Sequence, residues 1–123
     1  MGSAYFFSDD QLPYPDAKTV CTTKNGLGKL VEINSHEEMS FLMSVLLQMD
    51  ASYSREYYIG LDHPENTTWP SGERVDSSLL RWYGEEPRGT VTYHGTTMQG
   101  KNGFMLNAYR TGSHHYVCEM PGK

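Results

Sequence analysis

The stretch Tyr83-Gly84-Glu85-Glu86-Pro87-Arg88-Gly89 sets two adjacent carboxylates before a proline and a guanidinium. Paired carboxylates are the groups from which a hard-cation site is assembled, because calcium takes about six to eight oxygen ligands at about 2.3–2.6 Å. Arg88 opposes that use, since its guanidinium offers N–H donors, no acceptor and a positive charge. The same residues suit recognition of a polar ligand, with Arg88 donating and the glutamates accepting. Trp82 and Tyr83 beside them are of the types that anchor protein interfaces or stack on sugar rings. The plainer alternative makes Trp82 a core residue and leaves Arg88 paired with Glu86 on the surface.

Other reactive side chains form no recognisable catalytic set. The chain has no Gly-x-Ser-x-Gly, no glycine-rich phosphate loop and no His-Glu-x-x-His, and nothing recommends a hydrolase built from Glu85, Glu86 and His94. His114 and His115 are adjacent on a strand pattern, so they point to opposite faces and do not chelate one zinc. His36 falls in a helix turn, and His63 and His94 in loops, none with a second ligand at metal spacing. The two cysteines, Cys21 and Cys118, are too far apart for a zinc knuckle or a redox pair. They are either separate buried thiols or one disulfide of an extracellular domain. A bridge enclosing about 100 residues restricts the unfolded chain by up to about 4.7 kcal/mol in the entropic description. Asn66-Thr67-Thr68 is an N-glycosylation sequon, in keeping with the second reading.

These residues belong to a chain of 123 amino acids with 37% hydrophobic content and a net charge of -5, the profile of one soluble globular domain. The acidity argues against a nucleic-acid partner, which demands a basic face. No apolar run approaches the roughly 20 residues that span a bilayer. Met1-Gly2-Ser3 lacks the pattern of a signal peptide and reads as a cloning scar, leaving residues 4–120 as the domain.

The elements that must position the chemistry follow in order. Ala4 to Ser8 reads as an aromatic strand. A short helix begins at the prolines Pro13 and Pro15, places Ala17, Val20 and Cys21 on one face, and ends at Asn25-Gly26. Leu30 to Ile33 suits a brief strand. Ser35 and Glu38 form a capping box, after which Met39, Phe41, Leu42, Val45, Leu46 and Met49 recur at helical spacing as a core face. Tyr57 to Leu61 reads as a buried strand. From Asp62 to Gly89 periodicity stops, and a loop of that length is usually functional. Regular structure returns at Val91 to Tyr93, around Phe104 to Leu106, and at His115 to Glu119.

In this order, "YFFS", "PDAKTVC", "LVEINSHEEMSFL", "YYIGL", "EEP" and the terminal "YVCE" resemble the C-type lectin-like domain from end to end. The resemblance implies an α+β double-loop fold, with two helices flanking small antiparallel sheets and a long ligand-binding loop. It pairs Cys21 with Cys118 and places the protein outside the cell, secreted or in an ectodomain. The family's second bridge is missing, with Tyr93 and Arg110 near its positions.

Sugar-binding members hold one calcium through a glutamate-proline-asparagine type of triplet and an asparagine-aspartate pair, and the calcium binds sugar hydroxyls. Here the triplet is Glu86-Pro87-Arg88. The pair aligns with Leu106-Asn107 or Asn107-Ala108, which leaves a single amide. Some collectins of the surfactant type carry arginine after glutamate-proline, yet they keep the pair. The resemblance therefore implies a ligand site at Glu86, Arg88 and Asn107, with Tyr93 and Tyr109 nearby, and no calcium held in the usual way. Glu86 and Asn107 are the ligands left to any calcium that does bind, and Asp62 and Glu65 resemble an incomplete auxiliary site. The expected function is glycan recognition without the usual calcium, and the alternative is protein recognition by the same face.

Overall fold

The computed structural model describes residues 3–23, 28–49, 55–61, 68–76, 79, 95–99, 105–110 and 112–121. In chain order the elements are strand β1 (Ser3–Phe7), helix α1 (Tyr14–Thr23), strand β2 (Lys29–Leu30), helix α2 (His36–Met49), and strands β3 (Tyr57–Ile59), β4 (Gly95–Gln99), β5 (Met105–Arg110) and β6 (His115–Pro121). Among the described residues no helix is long and apolar enough to cross a membrane.

Helix α1 starts where the sequence permits it. Pro15 occupies the first turn, where its missing N–H is no loss, and the Ala17 N–H bonds the Pro13 carbonyl at 2.9 Å. Its buried face is Tyr14, Ala17 and Cys21. On the exposed side Thr19, Thr22 and Thr23 donate their hydroxyls to the carbonyls of Pro15, Thr19 and Val20, a local satisfaction common for threonine.

Helix α2 opens on the expected cap. The Glu38 N–H donates to Ser35 Oγ at 3.0 Å, and Glu38 Oε1 accepts from the Asn34 N–H at 2.9 Å. Glu38 Oε2 also accepts from the Tyr5 hydroxyl at 2.6 Å, which ties the helix start to β1. The core stripe differs from the expected one. Leu42 and Leu46 are buried with Met39 and Met43 packed against the same cluster, whereas Phe41 is 46% exposed and rests on the Tyr5 ring at 5.2 Å. Positions 39, 42, 43 and 46 follow the i, i+3, i+4, i+7 rule. Phe41 lies about 100° around the helix from Leu42, away from that stripe.

The strands form one sheet in the order β1-β6-β3-β4-β5, with β2 also on β6. The neighbours are antiparallel except for β3 and β6, which run parallel. The small antiparallel sheets expected from the sequence are thus joined through one parallel pairing. Residues 31–33 leave the strand pattern after β2, yet Val31, Glu32 and Ile33 are all buried, so the half-exposed alternation of a surface strand is absent. Regular structure also falls at Gly95–Gln99, where the sequence pattern gave no signal, while Val91 to Tyr93 lie outside the described residues.

Strand alternation sorts side chains into two cores. Tyr57, Ile59, Val117, Val31 and Ile33 join Leu42, Leu46, Trp69, Leu79 and Met98 on the α2 side. Tyr58, Tyr116, Cys118, Met120 and Leu30 join Tyr14, Ala17 and Cys21 on the α1 side. There Cys21 and Cys118 form a disulfide, with 5.3 Å between their Cα atoms.

Two tight contacts generate predictions. The Gly60 N–H donates to the Val31 carbonyl at 2.8 Å, and a Cβ at Gly60 would stand 3.0 Å from both the Leu30 and Val31 carbonyl oxygens. Gly60→Ala should therefore cost about 1–3 kcal/mol through overpacking, read as a lower urea midpoint with an unchanged slope. On the α1 side the buried Tyr116 hydroxyl bonds both oxygens of Asp10 at 3.0 Å. Burial, then that hydrogen bond, then the Asp10 charge push the phenol up to about 12. The folded state thus holds this proton more tightly than the unfolded state, so the stabilisation is complete below about pH 10 and lost as pH rises toward 12. Absorbance titration of tyrosinate should show a late-titrating phenol that Tyr116→Phe removes, together with the corresponding part of the alkaline loss of stability.

Candidate functional site

Of the residues singled out by sequence, Glu86 and Arg88 lie outside the described residues, as do Trp82, Tyr83, Glu85, Tyr93 and His94. Asp62, His63, Glu65 and the sequon residue Asn66 do as well. Asn107 lies within β5, its Cα in register with Thr97 of β4. Arg110 is in register with Gly95. Two steps along β4 therefore match three along β5, so the ladder carries a bulge immediately beyond Asn107. Bulges re-aim a strand and are frequent beside functional sites.

The platform under that bulge is held firmly. Thr97 is fully buried and donates its hydroxyl to Glu56 Oε1 at 2.7 Å, linking β4 to the residue just before β3. Met98 enters the α2-side core.

The residues at the expected site are known by type. Arg88 has no acceptor, and Leu106 and Ala108 flank the single amide of Asn107. Among the described residues no group of three or more His, Cys, Asp or Glu side chains is placed to hold a metal. The adjacent histidines turn to different neighbours. His114 meets the Tyr58 ring edge-on at 5.2 Å, while His115 packs on Tyr57 at 5.2 Å and donates from Nδ1 to the Ser8 carbonyl at 3.1 Å.

A second polar node escaped the reading of the sequence. Glu32 is 1% exposed. Its Oε1 accepts from the Ser71 hydroxyl at 2.6 Å and from Lys29 Nζ at 3.4 Å, and its Oε2 accepts from the Ser71 N–H at 3.2 Å. The Glu32 N–H in turn donates to Glu119 Oε1 at 3.2 Å. Ser71 sits in a turn closed by bonds from the Trp69 N–H to the Glu73 carbonyl and from the Gly72 N–H to the Trp69 carbonyl, both 2.8 Å. Gly72 there has φ +99°, a conformation glycine adopts without strain. With Trp69 buried in the core, the turn is pinned from both sides. The one signal available in sequence was a glutamate inside the apolar run Leu30 to Ile33, since a buried carboxylate requires partners.

Comparison with known proteins agrees with this geometry. Residues 10–120 match the family described as the lectin C-type domain. No curated protein matches the chain. Among solved structures, the C-type lectin domain of murine dendritic cell inhibitory receptor 2, determined in complex with N-glycan, has a TM-score of 0.80 at 22% identity, covering 98% of this chain and 91% of that one. The C-type lectin CEL-I from Cucumaria echinata has a TM-score of 0.80 at 18% identity, covering 100% and 94%. The cow CD23 carbohydrate-recognition domain, determined in the presence of a GlcNAc2Man3 oligosaccharide, has a TM-score of 0.72 at 21% identity, covering 100% and 91%. With two helices on opposite faces of a mixed sheet, a disulfide from α1 to β6 and a family match over nearly its whole length, the chain belongs to the C-type lectin domain family.

Proposed function

We propose that this domain recognises a glycan through the surface carrying Glu86, Arg88 and Asn107, without calcium held in the manner usual for the family. The observation that carries the proposal is the donor chemistry. Glu86-Pro87-Arg88 puts a cation where a metal-binding oxygen is needed, and Asn107 stands without a carboxylate beside it. In place of a metal bridging two hydroxyls, Arg88 donates to sugar hydroxyls or to an acidic substituent, and Glu86 and Asn107 accept. Tyr83, Tyr93 and Tyr109 supply ring faces for stacking. The domain is read as a binding module and not as an enzyme. The disulfide and the sequon at Asn66 support an extracellular location.

A second reading uses the same face to bind a protein. It is favoured by the combination of arginine, tryptophan and tyrosine around residues 82–93, the side chains that dominate interface hot spots.

Two measurements test the proposal. Calcium titrated into chelator-treated protein should give no heat and no rise in melting temperature at about 1 mM; binding below that concentration would return the metal-bridged mechanism to first place. On a glycan array in the presence of chelator, wild-type protein should retain discrete saccharides, and Arg88→Ala should lose them by about ten-fold or more, as for a charge-assisted hydrogen bond. A silent array with a protein recovered on the same face would favour the second reading.

A further inference from the structure

Strand β5 ends the sheet and bonds only β4 among the described residues, so the backbone of Asn107 is placed through β4. The row crossing the sheet at that point is Tyr58 of β3, Thr97 of β4 and Asn107 of β5, each the register partner of the next. Tyr57, Ile59 and Met98 enter the α2-side core, and strand alternation turns Glu56, Tyr58 and Thr97 to the other face. There the Thr97 hydroxyl crosses diagonally to Glu56 Oε1 at 2.7 Å. A hydrogen bond to a carboxylate is of the stronger class.

We infer, on the reading of the recognition surface given above, that Thr97 and Glu56 position Asn107 for its ligand by holding the β4–β5 bulge in one register. The bulge lies between two fixed points. One is the Thr97–Asn107 pair. The other stands beyond Arg110, where the Tyr58 hydroxyl donates to the Gly112 carbonyl at 2.8 Å, in a turn where Gly112 has φ +84°. Between them Ala108 and Tyr109 oppose the single residue Thr96, an extra residue of the kind that re-aims a strand.

The neighbouring threonine shows why the bond matters. A slip of one residue along β4 exchanges Thr96 and Thr97, takes Met98 out of its core and turns every side chain to the opposite face. Both threonines are fully buried, yet among the described residues only Thr97 bonds a carboxylate, while the Thr96 hydroxyl has no hydrogen-bond partner. Two residues of one type are thus made unequal by Glu56, and that inequality, with Met98, selects the register that sets Asn107 opposite Thr97.

Hydrogen exchange of the intact protein and titration on the printed saccharides of a glycan array, both in chelator, test the inference. Thr97→Val removes the hydroxyl and keeps the branched shape, and the half-buried Glu56 left behind still reaches water. The variant should speed exchange of the amides from Met105 to Arg110, leave those of β6 protected, and weaken saccharide binding several-fold. Thr97→Ser should restore both, and Thr96→Val should change neither. Because Thr97 acts through Asn107, the pair Thr97→Val with Asn107→Ala should lose no more binding than Asn107→Ala alone, the non-additivity of coupled residues. Additive losses overturn the inference, as do undiminished saccharide binding by Thr97→Val or faster exchange spread equally over β6; all three leave the recognition surface standing. A wild-type protein silent on the array overturns that surface and this inference together.

Discussion

Strand β6 has no solvent face from His115 to Met120, and both of its edges are occupied. β1 bonds Val117 to Pro121, β2 bonds Cys118 and Glu119, and β3 bonds His115 and Tyr116. Since β1 and β2 share the partners Cys118 and Glu119, they lie on opposite edges of β6. Its alternating side chains then feed both cores, Val117 toward α2 and Tyr116, Cys118 and Met120 toward α1. A strand so enclosed depends on every neighbour for its hydrogen bonds, and every neighbour depends on it for burial. The disulfide from Cys118 to Cys21 adds a covalent tie to α1 across 97 residues, at the one strand through which the sheet, the helices and both ends of the domain are joined.

The bulge after Asn107 is supported by Thr97, whose buried hydroxyl reaches Glu56 beside β3. The Trp69–Glu73 turn is held by an indole in the core and by a carboxylate beneath it. Both anchors include hydrogen bonds to side chains removed from water, Thr97 and Glu32, which are expensive to break because the group left behind cannot find water.

Much of the framework was legible in the residues. The capping box at Ser35 and Glu38, the helical recurrence of Leu42 and Leu46, the aromatic start of β1 and the buried run at Tyr57 to Leu61 are local patterns, and each element formed where its pattern stood. Local signals failed where the decisive partner was distant. Phe41 has the hydrophobicity of a core residue, yet it lies on the flank of α2 beside Tyr5, because the position of β1 sets which side of the helix faces inward. β4, with its threonines and no apolar alternation, became a strand because β3 and β5 supply its hydrogen bonds from either side.

What the sequence determined by itself was composition at each position: the absence of a metal-binding oxygen at Arg88, the lone amide at Asn107, the two cysteines available for one bridge and the periodicities of two helices. Those follow from the identity of side chains and from neighbours within a turn or two of chain. Tertiary structure alone decided that Glu32 would be buried with Ser71, 39 residues away, that β3 would run parallel to β6, and that the two cores would meet across one sheet. Each is a contact between segments whose separation in sequence carries no local energetic signature, and it arises only when the folded chain must find a partner for every group it removes from water.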